Sequence, residues 1–156
     1  GDRSPDRFRS AYLPGMSPEP TPIELVPLGR MTIGLKEPMV LPGTPTGTFI
    51  VAELDTVRFE GERLKANAKG AANADWLNIG ADGTAAVEVR VLLETDDGAL
   101  VYVQYTGRFT LATQTAYAAP LFLTGDERYA WLNGIQAVAK GQTDGQTLVY
   151  DIHEVR

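Results

Sequence analysis

The sequence predicts an all-β protein: an antiparallel closed β-barrel with one short helix near a barrel end and an extended N-terminal arm. Three observations carry this. Thr84 to Thr110 reads as two long strands joined through Asp96-Asp97-Gly98. Shorter strand-like segments recur along the rest of the chain between Gly- and Pro-rich turns, the signature of a sandwich or barrel. Thr124 to Asn133 carries the one helix signal. Closure is favoured over an open sheet because it removes unpaired edges.

The elements follow in order. Residues 1–22 contain Pro5, Pro14, Pro18, Pro20 and Pro22 and no sustained periodicity. Proline lacks the backbone donor and fixes φ, so an extended or disordered arm is expected there, and the barrel domain is placed at 23–156. Phe8, Tyr12, Leu13 and Met16 could let the arm dock on a neighbouring subunit of a homo-oligomer, but a floppy tail is the favoured reading. Leu25 to Leu35 reads as the first strand and Glu37 to Gly47 as a loop. Thr48 to Glu60 alternates with a change of phase, which predicts a bulge. Arg63–Ala68 and Asp75–Ile79 are short strands, and Ala85–Thr95 and Ala99–Thr110 form the hairpin. Leu121–Leu123, Ile135–Lys140 and Thr147–Val155 complete the sheet.

A two-residue type I′ turn at Asp97-Gly98 would pair Asp96 with Ala99, and therefore Arg90 with Tyr105. One hairpin face then carries Glu88, Arg90, Leu92, Val101, Val103 and Tyr105. The other carries Val87, Val89, Val91, Leu93, Leu100, Tyr102 and Gln104. The second is the more apolar, yet a ligand cavity needs some polar groups, so either face is open as the interior. Thr124-Gly125-Asp126-Glu127 fits a capping box with Thr124 as the cap and Glu127 reaching back. Gly134 is a suitable stop. A helix this short persists only by packing, so its aromatics are expected to enter or cover the barrel.

Composition excludes several classes of function. A chain of 156 residues fits one domain, and a net charge of −6 argues against binding phosphate backbones or anionic membranes. No apolar run has the length of a membrane helix. With no cysteine and one histidine, His153, neither a thiolate nor a zinc site is expected. No phosphate loop or seryl-hydrolase signature is present, and no cofactor is expected. A cytoplasmic location is expected, Gly1 at the first position being also compatible with a removed signal.

The candidate chemistry lies on the strands and the helix. A carboxylate beside an indole, Asp75-Trp76, would have a raised pKa and act as general acid or base. The competing reading makes Asp75 a turn cap and Trp76 simply core. Arg90 sits mid-strand among valines and leucines, where an inward guanidinium needs a partner such as Asp75, Glu88 or a ligand oxyanion, whereas an outward one is merely solvated. Tyr102, Tyr105 and Tyr129 could polarise a carbonyl, although barrel tyrosines more often pack and bond the main chain. Arg108 and Glu53 read as surface charges.

The ordered pieces Ala74-Asp75-Trp76, Thr95-Asp96-Asp97-Gly98-Ala99-Leu100-Val101-Tyr102, Thr124 to Asn133 and Val149-Tyr150-Asp151-Ile152-His153-Glu154-Val155 resemble the domain of unknown function 3237 family. The likeness covers roughly Glu24 to Arg156. It implies a lipocalin-like barrel and no particular activity, and it favours the inward reading of Arg90. The family's Gly-rich turn before the Asp-Trp pair is matched by Gly70-Ala71-Ala72-Asn73. The arginine common before the strand that leads to the helix is absent from Tyr117-Ala118-Ala119-Pro120.

Two functions follow as expectations. The first is binding of a small apolar or aromatic carbonyl compound with cofactor-independent acid–base catalysis of the isomerase, cyclase or lyase type. Asp75 would move the proton, Arg90 and Tyr105 would stabilise an enolate, and Trp76, Tyr102, Tyr129 and Trp131 would shape the pocket. The second is a non-catalytic carrier, or a self-associating structural barrel.

Overall fold

The computed structural model describes Gly15 and residues 20–156. The arm read over residues 1–22 lies almost wholly outside them. Among the described residues there are eleven strands: β1 (Leu25–Leu35), β2 (Met39–Thr44), β3 (Gly47–Glu60), β4 (Lys65–Ala68), β5 (Ala74–Ile79), β6 (Thr84–Thr95), β7 (Leu100–Thr110), β8 (Thr115–Ala118), β9 (Leu121–Leu123), β10 (Ala137–Thr143) and β11 (Thr147–Val155). One 3₁₀ helix spans Glu127–Gly134. Pairing runs β3–β1–β11–β10–β8–β7–β6–β5 and back to β3, a closed antiparallel barrel of eight staves. Two staves are broken. β4 and β5 both lie between β3 and β6, and β8 and β9 both lie against β7.

Most sequence-derived strands are present, and so is the bulge in β3. Its buried residues change phase between Leu54 and Val57. The pairing with β1 slips at the same place, from Gly34↔Thr56 to Leu35↔Leu54. Two strands differ from expectation. The Glu37–Gly47 loop contains β2, which tolerates Pro42 because it pairs only with β3. β8 is the second, too short to stand out in sequence.

The hairpin turn also corrects the expected register. Arg90 pairs with Gln104, not Tyr105, and Val91 with Val103. The loop has three residues rather than two: Thr95 N–H donates to the Ala99 carbonyl, and Gly98 adopts a φ of +92°. This is the geometry of a turn followed by a glycine bulge. The Thr95 hydroxyl stabilises it by donating to Asp97 Oδ1 at 2.6 Å and accepting from Ala99 N–H at 2.7 Å. One extra loop residue exchanges the faces of the two strands relative to one another. Val87, Val89, Val91 and Leu93 therefore join Val101, Val103 and Tyr105 inside.

The helix closes one barrel end. Asp126, not Thr124, is its N-cap, accepting from Arg128 N–H. Thr124 instead donates to the Leu100 carbonyl at 2.7 Å and accepts from Asp126 N–H. Gly134 is the last helical residue and Ile135 the cap at that end. Tyr129 and Leu132 stack on one side, as three residues per turn requires. Leu132 is wholly buried, in the same hydrophobic cluster as the edge-to-face pair Phe59–Phe122. The helix and hairpin loop interlock: Tyr129 Oη donates to Asp97 Oδ1 at 2.7 Å, and Arg128 Nη1 to the Asp97 carbonyl at 3.2 Å. Thr95→Ala removes the centre of this arrangement. The expected cost is about 1–2 kcal/mol, read by denaturant unfolding, because the Ala99 N–H is left buried and unpaired.

Candidate functional site in the open half of the barrel

The end opposite the helix is formed by the β5–β6, β7–β8 and β10–β11 turns and by the β2–β3 hairpin. It opens into a cavity of about 260 Å³. Ile50, Ala52, Leu77, Val87 and Leu148 give it an apolar wall, and Gln114 and Thr143 lie at its rim. Among the described residues, Asp75 and Tyr150 supply the ionisable groups that line it, and no lysine or arginine does so.

Strand parity places Asp75 there. Adjacent strand residues face opposite ways, so Asp75, Leu77 and Ile79 point inward while Trp76 and Asn78 point out. Asn73 fixes the phase. It is buried in the turn between β4 and β5, accepts from Leu92 N–H at 2.8 Å and donates to the Gly70 carbonyl at 3.2 Å. The chain thereby crosses from one half-stave to the next with its register set against β6. Asp75 then lies in one cross-strand row with Ala52, Val89 and Tyr105.

Burial dominates the electrostatics of this row. Asp75 is 7% exposed, and its Oδ1 has no hydrogen-bond partner. Loss of hydration pushes its carboxyl up to about 7, where it exchanges a proton readily at neutral pH. Tyr105 is also buried, and its hydroxyl has no partner of good geometry. Its ring meets Tyr150 edge-on, with centroids 5.5 Å apart. Burial raises both phenols, and the Asp75 charge raises them further, so both remain protonated donors. Small residues make room for them. A Cβ on Gly141 would lie 2.7 Å from the Tyr150 ring, and Ala116 and Ala118 occupy the neighbouring stave.

The structure brings together two of the candidate residues, Asp75 and Tyr105, and adds Tyr150. The alternation Leu148, Tyr150, Ile152 in β11 was the available signal for Tyr150. The other candidates lie elsewhere. Arg90 faces outward, 3.2 Å from Glu88 and 5.9 Å from the Trp76 ring, because it alternates with inward valines. Trp76 accompanies it on the outer surface. Tyr102 is also on the outer face, bonded to Gln104. Tyr129 and Trp131 belong to the closed end. There Arg63 lies 4.2 Å over the Trp131 ring and 2.8 Å from Glu154. Arg63 and Arg156 hold the Glu154 carboxyl below its usual range. Glu53 is a surface charge near Lys36, as expected.

The fold and the site define a closed antiparallel β-barrel with a plugged end, an open end and an apolar cavity floored by a carboxyl and a phenol. Solved structures share this architecture. A beta-barrel like protein from Acinetobacter baumannii superposes with a TM-score of 0.80 at 28% identity, over 88% of this chain and 99% of that one. A conserved protein of unknown function from Rhodopseudomonas palustris gives 0.81 at 24% identity, over 88% and 100%. The chain belongs to the family described as Protein of unknown function (DUF3237), whose pattern matches residues 23–155. The fold is also that of an enzyme. An enzyme from Penicillium herquei shares the fold, with a TM-score of 0.68 at 23% identity over 89% of this chain and 99% of that one. The hydroalkoxylation enzyme phnH of the same organism is 40% identical over 58 residues. That match spans 37% of this chain and 35% of the enzyme. Among the described residues, no helix is long and apolar enough to cross a membrane.

Proposed function

We propose that this barrel is a cofactor-independent acid–base catalyst acting on an uncharged apolar or aromatic carbonyl compound. The carrying observation is Asp75: a buried carboxyl with an unpartnered oxygen, lining an apolar cavity, with its pKa near 7. An orphaned buried oxygen favours a ligand that supplies its hydrogen bond. A group that titrates near the working pH is suited to take a proton and return it. Tyr150 is the donor toward a carbonyl or enolate oxygen, and Tyr105 supports it from behind. These phenols replace Arg90 in that role. An anionic substrate would meet the Asp75 charge with no cation beside it among the described lining residues, which favours an uncharged one.

Isomerisation, cyclisation and elimination of a neutral group all need only such a proton transfer. Addition of a hydroxyl across a double bond, the chemistry in the name of the fungal relative, needs one proton removed from oxygen and one delivered to carbon. That requirement supports the cyclase form of the reading. The test is a panel of neutral aromatic carbonyl and hydroxyl compounds, assayed for binding and turnover. Asp75→Asn is expected to retain binding and lose about 10²–10⁴-fold in turnover. Tyr150→Phe is expected to lose about 10–100-fold, mostly in kcat. Undiminished turnover in Asp75→Asn contradicts the mechanism.

A further inference from the structure

The outer face of β3, β5, β6 and β7 carries a hollow of about 490 Å³ that the interior chemistry does not use. It follows from the register. Phe49, Asn78, Ala86 and Arg108 form one outward cross-strand row, and Val51, Trp76, Glu88 and Thr106 form the next. Ala86 is too small to fill its position, so a depression opens there. Phe49 and Trp76 supply aromatic surface on one side, and Arg108 stands on the other. Arg90 lies beyond, 5.9 Å from the Trp76 ring and paired with Glu88 at 3.2 Å.

The charge here runs against that of the molecule. The chain carries a net −6, yet this hollow is lined by two guanidiniums and one carboxylate. Arg108 has no acidic partner among the described residues; its hydrogen bond is to the Gly107 carbonyl at 3.0 Å. A guanidinium presents a planar fork that matches a carboxylate. Trp76 and Phe49, only partly covered, present ring surface on which a flat aromatic body stacks. We propose that this hollow binds a small aromatic carboxylate, its ring against Trp76 and Phe49 over Ala86 and its carboxylate on Arg108. This site is separate from the Asp75 cavity and takes a ligand of the opposite character.

The indole N–H signals of the two tryptophans in a ¹⁵N-labelled protein give the test, with Trp76→Phe assigning them. Titration with 4-nitrobenzoate is expected to shift the Trp76 signal and leave Trp131 in place. Neutral 4-nitrobenzamide is expected to bind at least tenfold more weakly, and Arg108→Gln to bring the acid down to the level of the amide. Arg108 is exposed, so the variant is expected to keep its melting temperature. Ala86→Leu, which fills the hollow, is expected to abolish the Trp76 shift. Asp75→Asn is expected to leave it intact, so failure here is distinguishable from failure of the interior reading. Equal binding of acid and amide, or unchanged binding in Arg108→Gln, overturns the proposal. So does native mass spectrometry showing that Arg108→Gln turns a dimer into a monomer, since a second copy would then occupy the hollow.

Discussion

Replacing Asp75 by Asn is expected to flatten the pH dependence of stability between about pH 4 and pH 7 and to stabilise the protein above pH 7. The sign follows from the raised carboxyl. Its folded value is about 7 against 3.8 in the unfolded chain, so the folded state binds the proton more tightly. Stability from this group is complete below the unfolded value and falls as pH rises through the folded one. The difference amounts to about 4 kcal/mol, a large share of a typical domain's stability. The surface carboxylates run the other way. Asp96, Asp97, Asp126 and Asp151 are lowered first by hydrogen bonds to Arg58, Thr95, Arg128 and Arg30, respectively, and lose stability only as pH falls below the ordinary carboxylate range. Denaturant unfolding at pH 5 and pH 8 checks the prediction. Wild type should be less stable at pH 8, and Asp75→Asn should show little difference between the two.

Leu132→Ala is expected to cost about 2–5 kcal/mol, the range for emptying a fully buried leucine site. The structure places this loss at the top of that range. The 3₁₀ helix has eight residues, fewer than three turns, and cannot hold itself together. Leu132 is its one fully buried side chain. Polar ties at its start, Tyr129 to Asp97 and Arg128 to Asp126, are exposed and therefore weak. Without Leu132 the closed end has lost its plug, and Trp131 has lost the rigid support that holds it under Arg63. Urea unfolding reads the loss, and a Trp131 indole signal broadened in the variant reports the loosened end. A cost under about 1 kcal/mol would mean that the polar ties, rather than Leu132, hold the helix.

Much of this molecule was legible in its sequence, for identifiable reasons. β1 and β11 have clean alternation between unambiguous turns. The β3 bulge was visible because Leu54 and Val57 break an otherwise regular period. The closed barrel followed from the number and shortness of the strands. Asp75 stood out as an acid entering an apolar strand. Its partners were harder to read, because facing depends on the parity of every turn. Asp97-Gly98 looks like a two-residue turn, and only the Thr95 hydroxyl, closing a three-residue loop, reverses the faces. Trp76 could not share the interior with Asp75, since neighbours on a strand diverge. Arg90 likewise had Val89 and Val91 beside it, and those took the inside. β2 was hidden by Pro38 and Pro45, which flank it, and by Pro42 within it, which a strand paired on one side tolerates. Tyr150 lay in an alternating strand beside Asp151, whose charge pairs with Arg30 on the outer face and so does not mark the tyrosine, although Gly141 opposite it makes its room.

The floor of the open cavity holds a carboxyl poised to exchange a proton near neutral pH. Selective ¹³C labelling of the aspartate carboxyls, followed by NMR titration with Asp75→Asn for assignment, tests it most directly. One aspartate signal is expected to titrate near pH 7, to disappear in the variant, and to move when a neutral aromatic carbonyl compound is added. An Asp75 signal that titrates below pH 5, unaffected by such compounds, would contradict it.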